Sequence, residues 1–303
     1  MGISQYIKDI GRGKKGARPL TREAAADLFG QVLAGTVTDL EIGAFCLAMR
    51  IKGETAAEMA GFLDATRASS TLLPLLPGQR PTVVLPSYNG ARKLPVLTPL
   101  LALLLAREGV SVLLHGQATE NNRVHIENLL SLLDIPRYSA IEKIANGEIG
   151  YVGTAQLNPG LSRLLEVRRV VGLRNSAHSV VKLMNPCAGP SLVVASYTHP
   201  EYAVSMSNTL TLTQANALLL RGTEGEPVAD PRRIPPMAGF LAGHRSELEQ
   251  VQPGPLPTTA DLPPGTDVAS TVAYIQAVLA SQRAVPVSIA RQVEHILRLC
   301  AKL

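Results

Sequence analysis

Lysine and arginine side chains are concentrated in three short segments of the sequence. Residues 8–18 hold five basic side chains against one acidic one, residues 80–93 hold three against none, and residues 160–182 hold five against one. Guanidinium and ammonium groups pair with phosphate oxygens, and clustered charge of one sign is typical of sites for polyanions. Such runs are also typical of ordinary solvated surfaces. They indicate a binding face only where the fold brings them together.

Nine basic residues from these segments are candidate phosphate contacts. Three of them share one predicted helix near residue 165, and two lie in a loop after a predicted strand. The first two stand between glycines at positions 11, 13 and 16, where we expect a mobile N-terminal arm. The nine candidates are Lys14, Lys15, Arg92, Lys93, Arg163, Arg168, Arg169, Arg174 and Lys182.

The side chains with metal-binding or nucleophilic chemistry show no matching spacing. The three cysteines are too far apart for a zinc motif and too few for a disulfide framework, and none of the six histidines has metal-ligand spacing. His115 has the chemistry of a general acid or base, but no partner motif lies nearby, and we interpret it as a structural turn histidine. The sequence therefore predicts no metal and no cofactor.

Three N-cap signals divide residues 1–72 into helices. A threonine stands at each signal, and in two of them a glutamate three residues later completes a capping box. The signals are Thr21, Thr38 with Glu41, and Thr55 with Glu58. We predict helices over 22–33, from 39 to 49 and from 56 to about 67. Their short connections indicate an N-terminal helical domain, residues 1–75, which also suits dimerisation.

After a proline-rich linker at 72–81 the pattern alternates between strands and helices. Strand–helix–strand spacing of this kind is typical of parallel βαβ units. We predict an α/β domain over 76–303, with a mostly parallel sheet flanked by helices. The predicted strands are 82–85, 110–114, 150–154, 192–196 and 217–221. The predicted helices are 97–108, 123–133, 161–171, 202–211, 267–283 and 288–302, with an irregular stretch at 227–264.

Length and composition fit a two-domain globular protein. The chain has 303 residues, of which 46% are hydrophobic and 17% charged. Its longest apolar run, residues 100–106, is far shorter than the ~20 residues that cross a bilayer. The N-terminus lacks the apolar core of a signal peptide. We expect a cytoplasmic protein without membrane contact.

Local motifs resemble the anthranilate phosphoribosyltransferase group, which shares its fold with the pyrimidine nucleoside phosphorylases. Residues 167–175, VRRVVGLRN, are similar to the family's V-R-x-x-L-G-x-R-T, and Asn185 with Pro186 matches a downstream N-P. His115 and Gly116 match the family's K-H-G, with leucine in place of the lysine. The resemblance covers essentially the whole chain. It implies that Arg168 stands where the family's arginine contacts an aromatic acceptor.

The donor loop departs from the family pattern. Aligned on His115, the family's G-T-G-G-D falls on residues 86–90, PSYNG. Glycines let backbone N–H groups approach a pyrophosphate, whereas Pro86 lacks an N–H and we expect Tyr88 to fill the space of a phosphate. Thr98 keeps a hydroxyl at the family's serine position. The degenerate donor site therefore comprises Pro86, Ser87, Tyr88, Asn89, Gly90, Thr98, His115 and Gly116.

The family's magnesium-binding acids are replaced as well. Pro227 and Val228 stand at those positions, and neither supplies an oxygen ligand for Mg²⁺. Glu224 and Glu226 lie nearby in the sequence. Phosphoribosyl transfer requires that the leaving pyrophosphate be held and neutralised. The resemblance therefore implies a retained scaffold without catalysis.

These departures resemble a divergent branch of the family, the YbiB-type proteins, whose members are dimers that bind nucleic acids without evident sequence preference. The resemblance rests on residues 86–95 and 11–16, and it implies a homodimer that binds DNA or RNA. Aromatic residues make up only 4% of the chain, so we expect backbone-driven, salt-sensitive binding. Two alternatives remain: an active glycosyl- or phosphoribosyltransferase with altered donor specificity, and a scaffold whose basic segments meet an acidic protein.

Overall fold

Helices and one eight-stranded sheet make up the part of the chain that the computed structural model describes: residues 2–141, 143–251, 262–263 and 265–303, with only the backbone described for Lys14. The helices are α1 (Ser4–Ile10), α2 (Gly13–Gly16), α3 (Arg22–Ala34), α4 (Asp39–Lys52), α5 (Ala56–Ser69), α6 (Thr98–Arg107), α7 (Thr154–Leu157), α8 (Pro159–Val171), α9 (Ala177–Leu183), α10 (Pro200–Leu212), α11 (Val268–Leu279) and α12 (Val287–Cys300). The strands are β1 (Thr82–Ser87), β2 (Val112–Gly116), β3 (Arg137–Tyr138), β4 (Ile149–Gly153), β5 (Ser191–Tyr197), β6 (Ala217–Arg221), β7 (Met237–Leu241) and β8 (His244–Glu249).

The predicted N-caps are confirmed at the first three long helices. Thr21 caps α3, and capping boxes begin α4 and α5 at Thr38 and Thr55. The second box also connects distant segments, because the Glu58 carboxylate accepts hydrogen bonds from Leu20 N and from the Lys52 ammonium. A local helix-start signal thus also fixes the segment that enters α3.

The N-terminal arm begins with a docked helix, α1, whereas the mobility expected around Lys14 and Lys15 stays a prediction. Ile3 and Ile10 are fully buried, and Ile3 N donates to the Glu41 carboxylate at 3.0 Å. Residues 13–16 form the short helix α2. Burial of the two isoleucines holds α1 on the helical layer.

The sheet is parallel except at one end, which confirms the predicted α/β class. The strand order is β3-β4-β2-β1-β5-β6-β7-β8, and only the β6–β7 and β7–β8 pairs are antiparallel. Successive residues of a strand face opposite sides. In β1, Val84 joins the core that contains the N-terminal helices, whereas Val83 and Leu85 join the core that contains α6, α11 and α12.

The helical layer draws on both parts of the chain. The predicted domain boundary at 75/76 falls between α5 and β1, but α8 packs on α3 and α10 packs on α5. The rings of Phe29, Phe45 and Phe62 form the centre of this layer, with the first and third stacked at 4.6 Å between centroids. None of the described helices combines the length and apolarity needed to cross a bilayer.

Two regions differ from the sequence-based expectation. Residues 123–133, predicted as a helix, form two single 3₁₀ turns at Ile126–Asn128 and Ser131–Leu133. The stretch 227–264, predicted as irregular, contains the β7–β8 hairpin. Its two-residue turn is Ala242–Gly243, both at positive φ, as a type I′ turn requires. Alanine rarely occupies the first position of such a turn. Because Ala242 stands where asparagine is usual, the sequence lacks the Asn-Gly signal that predicts a hairpin.

The centre of the sheet positions the candidate site. β1 lies between β2 and β5, and the strand order reverses there. Because β1, β2, β5 and β6 run parallel, their carboxyl ends meet at one edge. Ligands of open α/β sheets bind at such a reversal point. The loop after β1 and the loop after β6 both lie at this edge.

Candidate functional site

The loop after β1 is shaped by close backbone packing. Ser87 pairs with Gly116 of β2, and a Cβ on Gly116 would lie 2.1 Å from the Ser87 carbonyl oxygen. Gly90 has φ 66°, and a Cβ there would lie 2.8 Å from the Val124 carbonyl oxygen. Both glycines are therefore required by the geometry. The loop turns so that its N–H groups point to one place.

The carboxylate of Glu226 occupies that place. Its Oε1 accepts hydrogen bonds from Asn89 N at 2.7 Å and Gly90 N at 2.8 Å. Its Oε2 accepts one from Thr98 Oγ1 at 3.1 Å and another from Ser87 Oγ. Glu226 is only 2% exposed. Four donors of the degenerate donor site thus converge on one internal anion.

The Tyr88 side chain, which we expected to fill the space of a phosphate, is not among the groups that converge on Glu226. The Tyr88 hydroxyl instead lies 2.7 Å from His115 Nδ1 and 2.9 Å from Thr154 Oγ1. His115 lies within β2 and not in a turn. Burial lowers its pKa to about 3, so its ring is neutral. Within the described part of the chain its Nε2 has no hydrogen-bond partner. The tyrosine and histidine form part of the buried core beside the loop.

Glu224 holds the second half of the loop. Its carboxylate accepts hydrogen bonds from Arg92 N and Lys93 N, each at 2.7 Å. The two glutamates are separated by Gly225 at φ 88°, where a Cβ would lie 2.1 Å from Asn89 Nδ2. The β6 loop therefore presents two carboxylates to four backbone N–H groups of the β1 loop.

Pro227 and Val228, which the resemblance aligns with the family's magnesium-binding acids, contact the core and α12 instead of this site. Val228 is fully buried in the core that contains α12. The Pro227 carbonyl oxygen accepts a hydrogen bond from Gln292 of the same helix at 3.0 Å. In residues 2–141, 143–251 and the described C-terminal stretch, no three His, Cys, Asp or Glu side chains form a group suited to a metal ion.

Glu120 gathers three arginines beside the loop. Its carboxylate lies 2.8 Å from Arg168, 2.7 Å from Arg174 and 2.9 Å from Arg123. Partial burial opposes ionisation of Glu120, but hydrogen bonds from the three guanidinium groups outweigh it and hold its pKa at about 2. The carboxylate therefore stays ionised and fixes the arginines in one group.

The same group connects to the β1 loop. Arg123 lies 3.8 Å from the Glu224 carboxylate that binds the backbone of residues 92 and 93. The side chains of Arg92 and Lys93 are exposed. The Arg169 guanidinium lies beside this group and donates hydrogen bonds to Asn121 Oδ1 at 3.1 Å and to the Ala118 carbonyl oxygen at 3.3 Å. We call this set the basic rim; it consists of Arg92, Lys93, Arg123, Arg168, Arg169 and Arg174.

A cleft of about 490 Å³ adjoins the basic rim at Arg174. Lys182 lies in it and donates to the Gly225 carbonyl oxygen at 2.8 Å. Burial lowers the pKa of Lys182 to about 8. His178 is neutral because burial, assisted by Arg174, lowers its pKa to about 3. The cleft is lined by the end of α4, the β1 loop, residues 174–182, the end of β5 and the start of α10.

Three sequence candidates lie outside both the rim and the cleft. The Arg163 guanidinium donates to the Val32 and Leu33 carbonyl oxygens and so caps α3 instead of joining Glu120. Lys15 is exposed on α2, and the side chain of Lys14 lies outside the described part of the structure. Ile3 N, directly before α1, donates to Glu41 in the first turn of α4. The cleft begins at Met49, about 12 Å further along that helix.

Three residues that organise the site were not among the candidates predicted from the sequence. Glu120 and Arg123 stand outside the three basic segments, and Glu226 was noted only as an acid near the replaced magnesium positions. The contact between Glu226 and Gly90 spans more than a hundred residues of chain. The one available signal was the pair of glutamates around a glycine directly after a buried strand. That signal says where the carboxylates lie but not what they bind.

Comparisons with known proteins show which family the chain resembles. Residues 4–70 match a family model described as glycosyl transferase family, helical bundle domain. The protein YbiB of Escherichia coli (strain K12) is 37% identical over 297 residues, which cover 95% of this chain and 91% of YbiB. The anthranilate phosphoribosyltransferase of Gluconobacter oxydans (strain 621H) is 29% identical over 173 residues, 56% of this chain and 47% of that protein.

A solved structure shares the fold over nearly the whole chain. The anthranilate phosphoribosyltransferase of Thermus thermophilus superposes with a TM-score of 0.76 at 20% identity, covering 99% of this chain and 89% of that one. The helical bundle, the mostly parallel sheet and the sequence relatives lead to the same assignment. The chain belongs to the YbiB branch of the anthranilate phosphoribosyltransferase family.

Proposed function

We propose that this protein is a non-catalytic homodimer that binds DNA or RNA through phosphate contacts, without reading base sequence. The observation that carries the proposal is the basic rim. It unites cations from two separate basic segments at the carboxyl edge of the sheet, next to a cleft that holds Lys182. Arginines held in a fixed group suit phosphate oxygens, and such contacts carry no sequence information.

The state of the donor loop supports a role other than phosphoribosyl transfer. Its N–H groups at Asn89 and Gly90 are bonded to Glu226. A diphosphate would have to displace this buried carboxylate and then find a counterion for its own charge. The rim, in contrast, has six cations around three carboxylates, Glu120, Glu166 and Glu224. The net positive charge lies on the surface and not in the old donor pocket.

The dimer part of the proposal rests on an apolar stripe along α4. Leu40, Leu47 and Ile51 are 84%, 48% and 52% exposed and lie on one helix face. The first turn of α4 carries Asp39 and Glu41 and its last turn carries basic residues. An antiparallel pair of α4 helices about a two-fold axis would bury the stripe and place acidic ends beside basic ends.

The decisive experiment is a salt series of binding to fluorescent single- and double-stranded oligonucleotides. We expect the log of the affinity to fall linearly with the log of the salt concentration. The double variant Arg168→Ala/Arg169→Ala should bind roughly tenfold more weakly at 100 mM salt. The slope of log affinity against log salt concentration should become less steep by about two. Arg298→Ala/Lys302→Ala, which removes two cations from the C-terminal helix region, is the matched control and should change little.

Three outcomes would overturn the proposal. Absence of binding by the wild-type protein at low salt rejects nucleic-acid recognition. Saturable, magnesium-dependent heat with phosphoribosyl pyrophosphate favours the enzyme alternative. Equal losses in the rim variant and the control variant mean that the rim is not the contact surface.

A cytoplasmic location is part of the proposal, and the three free, buried cysteines fit a reducing compartment.

A further inference from the structure

The contacts of Glu226 are those of a bound anion. Two adjacent backbone N–H groups, with Gly90 at positive φ, form the type of concave nest that binds phosphate and other oxyanions. Two hydroxyls, from Ser87 and Thr98, complete a set of four donors. All of these groups are nearly or fully buried.

We propose that the cradle formed by Asn89 N, Gly90 N, Ser87 Oγ and Thr98 Oγ1 is an oxyanion site that Glu226 occupies in cis. The chain is thus its own ligand at this position. An external tetrahedral oxyanion of the inorganic phosphate class enters the cradle only after the carboxylate is removed. This inference does not depend on nucleic-acid binding, because the cradle is buried, whereas Arg92, Lys93 and Arg169 of the basic rim are exposed.

The surroundings of the cradle support an anion and not a neutral group. Lys182 Nζ donates to the carbonyl oxygen of Gly225, the residue next to Glu226. Arg123 lies 3.8 Å from Glu224, whose carboxylate takes the next two N–H groups of the same loop. The four backbone N–H groups and two nearby cations would leave a strongly positive pocket if the glutamates were absent. The two carboxylates neutralise it.

The β6 loop is tightly closed where its glutamates meet the β1 loop. Glu224 has φ 52° and Gly225 φ 88°, both in the left-handed region. A Cβ on Gly222 would lie 1.9 Å from the Glu226 carbonyl oxygen. Tight turns of this kind direct two successive acidic side chains, at positions 224 and 226, toward the β1 loop. A surface loop without such a partner would not need them.

The test compares Glu226→Ala with Glu226→Gln in the full-length protein. Both variants remove the same charge, but only alanine vacates the cradle. The glutamine carbonyl still accepts from Asn89 and Gly90, and its amide donates to the two hydroxyl oxygens. Melting temperature is measured between 0 and 50 mM inorganic phosphate, with chloride added to keep the ionic strength constant.

We expect Glu226→Ala to melt below the wild type and to gain about 3 °C or more over the phosphate series. The wild type and Glu226→Gln should not respond, because the cradle is filled in both. A folded Glu226→Ala without a phosphate response overturns the inference. Equal responses in all three proteins also overturn it, since they would arise at the basic rim.

A second measurement needs no variant. The amide protons of Asn89 and Gly90 in the wild-type protein should exchange slowly with solvent. Their NMR chemical shifts should not change when 50 mM phosphate is added. If phosphate shifts these two amides, the carboxylate is not their resident partner and the inference fails. This readout remains available if Glu226→Ala does not fold.

Discussion

Glu120 shows how a single acidic residue sets the charge of a surface. It holds Arg123, Arg168 and Arg174 in one group and remains ionised because its pKa lies at about 2. The same carboxylate cancels part of the positive charge that phosphate would meet. A residue of this kind improves the order of the arginines and lowers their attraction for a polyanion at once.

Glu120→Gln should therefore bind nucleic acid more tightly and be less stable. We expect a gain of roughly threefold to fivefold in affinity at 100 mM salt, because one negative charge leaves the rim. The loss of stability should be about 1 to 2 kcal/mol at pH 7, since the carboxylate is partly exposed and its arginines lose a partner. Fluorescence anisotropy and urea unfolding measure the two effects.

The pH dependence supplies the check on this prediction. The folded-state pKa of Glu120 lies below its unfolded value, so its contribution to stability is present above pH 4.5 and is lost as the pH falls toward 2. The difference in stability between wild type and Glu120→Gln should shrink over that range. A difference that is constant from pH 7 to pH 3, or weaker binding by the variant, would contradict the assignment.

At the scale of elements, the sequence predicted helices and strands where local signals and burial agree. The capping boxes at Thr38 and Thr55 and the apolar run at 217–221 mark their elements directly. The predictions from sequence were wrong where tertiary contacts determine the local structure. Residues 126–133 have the spacing of a helix face, yet they form 3₁₀ turns, and the alanine of the β7–β8 turn adopts φ 46°.

The candidate site divides in the same way. The departure of residues 86–90 from a glycine-rich loop is visible in the sequence because each replacement changes a local property, such as a lost N–H at Pro86. The replacement partner, Glu226, is not visible, because it reaches the loop only through the strand order β1-β5-β6. Local chemistry could be predicted, but its long-range complement could not.

The close contact between β1 and β2 gives a test at this scale. Gly116→Ala places a methyl group 2.1 Å from the Ser87 carbonyl oxygen, so one strand must move. We expect a loss of about 2 to 4 kcal/mol in the free energy of unfolding. Gly30→Ala in α3 is the control, because its nearest neighbour would be 4.0 Å away. It should be neutral or stabilising by up to about 1 kcal/mol. Equal effects of the two substitutions would contradict the β1–β2 geometry.

At the scale of the whole molecule, the apolar stripe on α4 predicts the oligomeric state. Leu40, Leu47 and Ile51 point outward although α4 belongs to a well-packed helical layer. A contiguous exposed stripe of this kind is costly unless another surface covers it. A second copy of the chain offers the same stripe and the opposite charges at each end.

Leu47→Glu should convert a dimer into a monomer without unfolding it, because a charge would face its own copy across the two-fold axis. Light scattering after size exclusion measures the mass, and circular dichroism verifies the fold. Leu132→Glu is the matched control, since Leu132 is 51% exposed on another part of the surface. A wild-type monomer, or a Leu47→Glu dimer, would refute the α4 interface.

Glu226 belongs to the same chain as the donors that it contacts, and this affects how the protein responds to its surroundings. A freely diffusing ligand fills its site only to the degree that its concentration allows, whereas a tethered group has a constant effective concentration. We therefore expect residues 87–93 to keep the same shape at any phosphate concentration, and after dilution or dialysis. Whatever the cleft binds, small phosphorylated metabolites would not adjust that binding through this loop.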